Sequence, residues 1–296
     1  MANATVGIAQ GVYDEMPQRG GRFWRTLLRS PTGVVGLCIV TLLVVVALLA
    51  SWIAPFDPLQ MGAGKRLSPP GGAHWFGTDE FGRDLFSRVV FGARLTLKIG
   101  VIAVGISLTA GLLLGLVGGY AGGWTERLLM RGVDVLFSFT EIVIALACLA
   151  ILGAGLTNAM IAIGIASIPF YARVTHSVVL VEKGKPYFEA GPAVGAGHVR
   201  MVFRHLLPNV IPPLIVVATL GVSTAVLAAA GLSFLGLGAQ PPTPEWGFML
   251  ASGRELISRA PWMMFFPGCA IAFTVLGFNL LGDGIREALD PRQHKG

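Results

Sequence analysis

The sequence predicts an all-α polytopic membrane protein with six transmembrane helices and both termini cytoplasmic. Three observations carry this expectation. Of the 296 residues, 54% are hydrophobic and 13% charged, and the mean hydropathy is +0.71. An ordinary soluble domain is nearer a quarter charged, so this much apolar sequence cannot be hidden in one water-soluble core. The charges also gather between long uncharged tracts. Six of those tracts reach or approach the roughly 20 residues of helix that cross a bilayer core.

The spans follow in order. Residues 33–53 carry no charge and follow Arg25 and Arg29. This tract is too long, and begins too far in, for a secretory signal, so it reads as an uncleaved anchor. Residues 99–120 are again uncharged. Residues 133–152 hold two acids, Asp134 and Glu141. Residues 156–172 are shorter and contain Pro169, which predicts a bent or frayed inner end. Residues 210–230 and 262–281 complete the set. The divisions are therefore a cytoplasmic tail 1–32, a first span 33–53 and an extracytoplasmic loop 54–98. A membrane core 99–284 follows, with a cytoplasmic loop 181–208 and an outer loop 232–261, and then a cytoplasmic tail 285–296.

Orientation comes from lysine and arginine. With the N-terminus inside, thirteen fall in inner segments and eight in outer ones, as the positive-inside rule requires. The same bias accounts for the net charge of +6 and the pI of about 9.6 without any nucleic-acid partner. Cys38, Cys148 and Cys269 lie in apolar tracts without CxxC spacing, so they form neither a disulfide frame nor a metal site. Gly111 with Gly115, and Gly118 with Gly122, are spaced for close helix approach in lipid. Neither Gly-Lys pair, Gly64-Lys65 or Gly184-Lys185, is followed by Ser or Thr. The chain therefore has no P-loop for ATP.

Two loops are more organised than connectors. In the outer one, HWFGTDEFGRDLFSRVVFGAR at 74–94 predicts a turn at Gly77 and a helix N-cap at Thr78 or Asp79. From Glu80 onward, Phe81, Leu85 and Val89 segregate from Arg83 and Ser87, which predicts an amphipathic helix on the outer surface. Such a helix serves as an interfacial lid or as a docking surface. In the inner loop, a short helix begins at Tyr187-Phe188-Glu189, glycines 195 and 197 interrupt it, and a second runs over 199–206 to Pro208.

The residues Glu189-Ala190-Gly191, Gly195 and Leu207-Pro208 resemble the EAA motif (EAA-x3-G-x9-I-x-LP) of ABC importer permeases. Gly191 stands for the second alanine and His205 for the isoleucine, while RHLLPN from Arg204 resembles the peptide-importer version. FGTDEFGRDLFSR at 76–88, LSFLGLGAQPPTPEWGFML at 232–250 and FNLLGDGIREALDP at 278–291 are similar to C-type permeases of dipeptide, oligopeptide, glutathione and nickel importers. The resemblance runs from about residue 29 to 291.

It implies a type I ABC importer permease in the cytoplasmic (inner) membrane of a bacterium or archaeon. The chain would be one half of a pore, not an enzyme. Its partners would be a second homologous permease, two ATPase subunits that carry ATP and magnesium, and an extracytoplasmic binding protein. No cofactor is expected on this chain. By position, Glu189, Ala190, Gly191, Gly195, Arg204, His205, Leu207 and Pro208 would couple to the ATPases. Gly77, Thr78, Asp79, Gly82, Arg83, Asp84, Pro241, Pro242, Glu245 and Trp246 would face the binding protein or shape the outer gate. Peptide is the expected cargo, with glutathione and nickel or another metal chelate as alternatives. An ATP-independent carrier or channel, or a membrane scaffold, are readings of a different class.

Glu141 departs from the family, whose members usually have Phe-Pro where Phe139-Thr140-Glu141 stands here. On a continuous helix Asp134, Ser138 and Glu141 would share one face, with Arg131 beside Asp134. Glu141 would then lie about 10 Å deeper than Asp134, where an acid costs on the order of 2–3 kcal/mol and faces a cavity or a partner. Two roles stay open. It is protonated or hydrogen-bonded to the other permease, or with Ser138 it lines the pore and meets cationic groups of a passing peptide.

Overall fold

The computed structural model describes residues 19–193 and 195–289, and those residues are helical apart from turns and one isolated bridge between Thr78 and Asp84. The helices are α1 (Arg19–Leu27), α2 (Pro31–Leu48), α3 (Ala50–Ile53), α4 (Leu85–Ala121), α5 (Gly123–Phe137), α6 (Glu141–Leu152), α7 (Leu156–Lys183), α8 (Pro186–Ala193), α9 (His198–Arg200), α10 (Leu207–Phe234), α11 (Trp246–Gly253) and α12 (Trp262–Leu289). A π-helical turn, Met201–Leu206, joins α9 to α10.

Five helices are long and apolar enough to cross a membrane, and α5 with α6 forms a sixth, broken span bent by 90°. Ser30, which caps α2, donates to the Glu287 carboxylate near the end of α12. The first and last spans thus begin and end on one side, which needs an even number of crossings. Six crossings satisfy that.

Packing is densest between α4 and α7, and small residues make it so. A Cβ on Gly111 would lie 2.4 Å from Tyr171 Cβ, and one on Gly115 would lie 2.5 Å from the Ala172 carbonyl oxygen. Gly119 abuts Val179 in the same way. Gly122 is different: it ends α4 with φ +67 rather than packing against a helix. A similar notch joins α2 to α12, where Gly36 meets the backbone of Leu281 and Gly33 meets Gly284. Three buried clusters stack along the bundle. Val179, Leu206, Val210 and Leu214 fill one end. A middle layer includes Ile99, Met160, Ile163 and Leu232, and the other end holds Leu85, Ala93, Trp246, Met249 and Ile271.

The structure corrects several expectations. The third span is not one helix, because it breaks at 138–140. Asp134 pairs with Arg173 at 2.6 Å rather than with Arg131, and Arg173 stacks over the Phe137 ring. These contacts, with Glu126 against His176 at 2.8 Å, lay α5 across α7 and force the turn. Asp134, Ser138 and Glu141 therefore share no helical face. The outer amphipathic helix is not separate either. Asp84, not Thr78 or Asp79, caps α4, and the helix runs unbroken into the second span. Pro169 lies inside α7, which continues to Lys183, and Pro208 opens α10 instead of closing the loop.

Gly115→Leu should destabilise the protein by about 1–3 kcal/mol, the usual scale of overpacking, because backbone atoms block the new side chain. Gly105→Leu on the same helix, with nothing within 4 Å of its Cβ position, is the control. Thermal unfolding in detergent should separate the two, with the loss confined to Gly115→Leu.

Candidate functional site

Two structured ends flank a central chamber. At the end that the charge bias places outside, the chain from 54 to 84 folds over the start of α4. Asp79 accepts from the amides of Phe81 and Arg83, both at 2.9 Å, and from Arg83 Nε. Arg88, 2% exposed, lies 3.8 Å from Asp79 and donates to the carbonyls of Pro58 at 3.0 Å and Pro242 at 3.3 Å. Asp84 accepts from the amide and hydroxyl of Ser87, both at 2.7 Å, and faces His74 Nδ1 at 2.8 Å. A buried charge survives only when paired and hydrogen-bonded, and these are.

The segment 232–261 locks onto this cap. Trp246 donates to the Val89 carbonyl at 2.9 Å, its indole filling the notch left by Gly92. Trp262 donates to the Thr78 carbonyl at 3.2 Å, and Phe76 stacks on Phe266. Glu245 caps α11 through the amides of Gly247 at 2.9 Å and Phe248 at 2.8 Å. Burial pushes its carboxyl up, and those amides pull it back. The two outer segments picked out by sequence are thus brought together, but mostly inside. Gly77, Thr78, Asp79, Gly82, Arg83, Asp84, Glu245 and Trp246 are buried and cannot touch a docking protein in this conformation. Pro241 and Pro242, joined by a cis peptide, are exposed, as are Trp75 and Phe81. The sequence reading missed Trp75.

At the other end, α8 carries Glu189, Ala190 and Gly191; the Glu189 side chain lies outside the described residues. A Cβ on Gly191 would sit 2.5 Å from Met201 Sδ, so glycine here admits the neighbouring turn. Gly195 turns the chain with φ +77. Exposed Val199 and Phe203 face outward beside Arg204, and Leu207-Pro208 begin α10. Tyr187 donates to Glu182 at 2.7 Å. Burial and that carboxylate push its phenol up to about 12, so it stays a donor. Asn209 donates to Tyr187 at 3.2 Å and to the His205 carbonyl at 2.7 Å, which ties the start of α10 to α8. The knob is also tied to α4. Lys183 donates to the carbonyls of Gly119 at 2.8 Å and Tyr120 at 3.0 Å, and Tyr120 lies 2.7 Å from His198 Nδ1.

Between the ends, Glu141 opens α6 at its first turn and lines a chamber with Ser107, Ser167, Tyr171 and Thr224. Ser138, expected beside it, instead caps the end of α5 and donates to the Val135 carbonyl at 2.7 Å.

Residues 111–295 match the family described as "Binding-protein-dependent transport system inner membrane component". Residues 19–70 match the N-terminal transmembrane domain of oligopeptide transport permease C. A dipeptide transport system permease protein from Alkalihalophilus pseudofirmus is 45% identical, over 91% of this chain and 88% of its own length. A di/tripeptide permease from Pseudomonas aeruginosa is 48% identical over 99% and 97%. A glutathione transport system permease from Escherichia coli is 47% identical over 91% and 89%. The inward-facing MetNI methionine ABC transporter shares the fold, with a TM-score of 0.58 at 22% identity over 69% of this chain and 97% of that one. An apolar bundle of five to six membrane helices, the inner-membrane family covering most of it and permease relatives matched almost end to end agree: this chain belongs to the binding-protein-dependent ABC importer permeases, multi-pass components of the inner membrane that transport rather than catalyse.

Proposed function

We propose that this chain forms one half of the pore of an ATP-driven importer of short peptides, with glutathione as the alternative cargo. The observation that carries the reading is the inner knob. Exposed Val199 and Phe203 present an apolar face at the Gly195 turn, and Lys183 and His198 tether that knob to the inner end of α4. A water-facing apolar knob with a rigid tether suits an ATPase groove that pushes on it. The partners in this reading are a second, homologous permease, two ATPases that hold ATP and magnesium, and an extracytoplasmic binding protein. Peptide as cargo rests on the relatives named as dipeptide, di/tripeptide and glutathione permeases. The binding protein would seat on exposed Trp75, Phe81, Pro241 and Pro242, held in place by the buried cap beneath them.

Purified alone in lipid, the chain should show no ATP hydrolysis above background, since it has no GK[S/T] loop. Adding the partner permease and ATPases should create hydrolysis that loaded binding protein stimulates. Robust hydrolysis by this chain alone would overturn the assignment.

Gly195→Leu places a side chain in left-handed backbone, at about 1–2 kcal/mol, with open space around it. Glu189→Lys reverses a charge on α8. Each should lower uptake several-fold while membrane abundance stays near wild type. Normal uptake by both would remove the knob from coupling.

Cysteines replacing Trp75 or Phe81 should crosslink to the binding protein from the outside. Reaction only with cytoplasmic reagents would reverse the topology.

A further inference from the structure

Three cavities of about 180, 220 and 140 Å³ adjoin in the middle of the chain. Among the described residues Glu141 alone lines all three, and it is the one charged side chain on their walls. No lysine, arginine or histidine faces it there, and among the described residues no ion pair or hydrogen bond engages its carboxylate.

The hydroxyls beside it are arranged unequally. Ser107 commits its proton to the carbonyls of Ala103 at 2.7 Å and Gly164 at 2.9 Å. Thr224 commits its own to the Gly221 carbonyl at 2.9 Å. Both oxygens are left with lone pairs only, so they can accept and cannot donate. Ser167 and Tyr171 can turn a hydroxyl either way. Tyr171 is 2% exposed, and its hydroxyl is buried without a hydrogen-bond partner among the described residues. Its tip lies against Gly221, where a Cβ would come within 1.9 Å of it. A buried phenol normally finds a partner, and this hydroxyl is free to accept from a group that enters the chamber. The chamber is a set of acceptors around one carboxylate. An ammonium group, three donors and a positive charge, is the chemistry that completes it.

We propose that this chamber is a subsite for a primary ammonium group, supplied by the free amino terminus of a peptide in transit. The assignment of the occupant rests on the reading of the chain as half of a peptide pore. A peptide carboxylate finds repulsion and few donors here. The chamber therefore orders the cargo amino end first against Glu141.

The test uses the assembled complex with Cys38, Cys148 and Cys269 of this chain replaced by alanine and Thr224→Cys on the chamber wall. Its rates of reaction with 2-aminoethyl and 2-sulfonatoethyl methanethiosulfonate are compared with those of a free thiol. The cationic reagent should be favoured roughly tenfold or more, the scale on which a charged cleft concentrates counter-ions. Glu141→Gln should abolish the preference, and Glu141→Asp should retain most of it. A preference unchanged by Glu141→Gln means that the carboxyl is uncharged, and it overturns the subsite whatever the cargo. The second arm measures uptake of dialanine at matched complex abundance. Glu141→Gln should lower uptake several-fold while binding protein still stimulates ATP hydrolysis. Wild-type-like uptake would overturn the role in transit. Absence of dialanine uptake and of peptide-stimulated hydrolysis in the wild type would overturn the peptide reading itself, independently of the labelling result.

Discussion

Hydrocarbon solvates leucine as well as a protein interior does, so apolar side chains give two helices in a bilayer no reason to associate. Contact must come from shape. The α4–α7 pair supplies it with Gly111, Gly115 and Gly119, whose missing side chains let Tyr171, Ala172, Thr175 and Val179 come up to the α4 backbone. The rest of the molecule hangs from this pair. The α5 helix is pinned to α7 by Arg173 and His176, α6 begins where α5 is forced to stop, and α10 packs against both members of the pair. The chamber at Glu141 is the space that remains where these elements meet.

The outer cap obeys a different economy. Outside the hydrocarbon irregular backbone is tolerated, and the short segments here fold around buried charges that include Asp79, Arg83, Asp84 and Arg88. Replacing such a set by apolar residues is often neutral for stability, whereas removing a single member is strongly destabilising. The network thus fixes one arrangement of segments that are far apart in sequence. Arg88, reaching Pro58 and Pro242 together, is the link between them.

Much of this was legible in the sequence. The uncharged tracts of five spans and the glycine spacing at 111 and 115 translate directly into helices and a close contact. Gly195 also sits in the turn expected of it. What could not be read came from contacts between distant residues. The pairing of Asp134 with Arg173 crosses 39 positions, so local spacing pointed to Arg131 and to a straight third span. The cap of α4 was misplaced because Thr78 and Asp79 carry the right chemistry. Only the folded loop shows Asp79 committed to Arg83 and leaves Asp84 to hold Ser87. The partnerless hydroxyl of Tyr171 leaves no trace in sequence at all, since any tyrosine in a span looks alike until its neighbours are known.

The length of α4 has a mechanical consequence. Its 37 residues make a rod of about 55 Å, almost twice the hydrocarbon thickness of about 30 Å. One end is clasped by Lys183 beside the inner knob, and the other is rooted in the charged cap. Such a rod needs no chain of rearranging side chains to carry a displacement across the membrane. At 1.5 Å per residue, a tilt of about 5° about one end sweeps the other through about 5 Å. The same beam can therefore carry a displacement in either direction, a shift of the cap at one end moving the knob at the other.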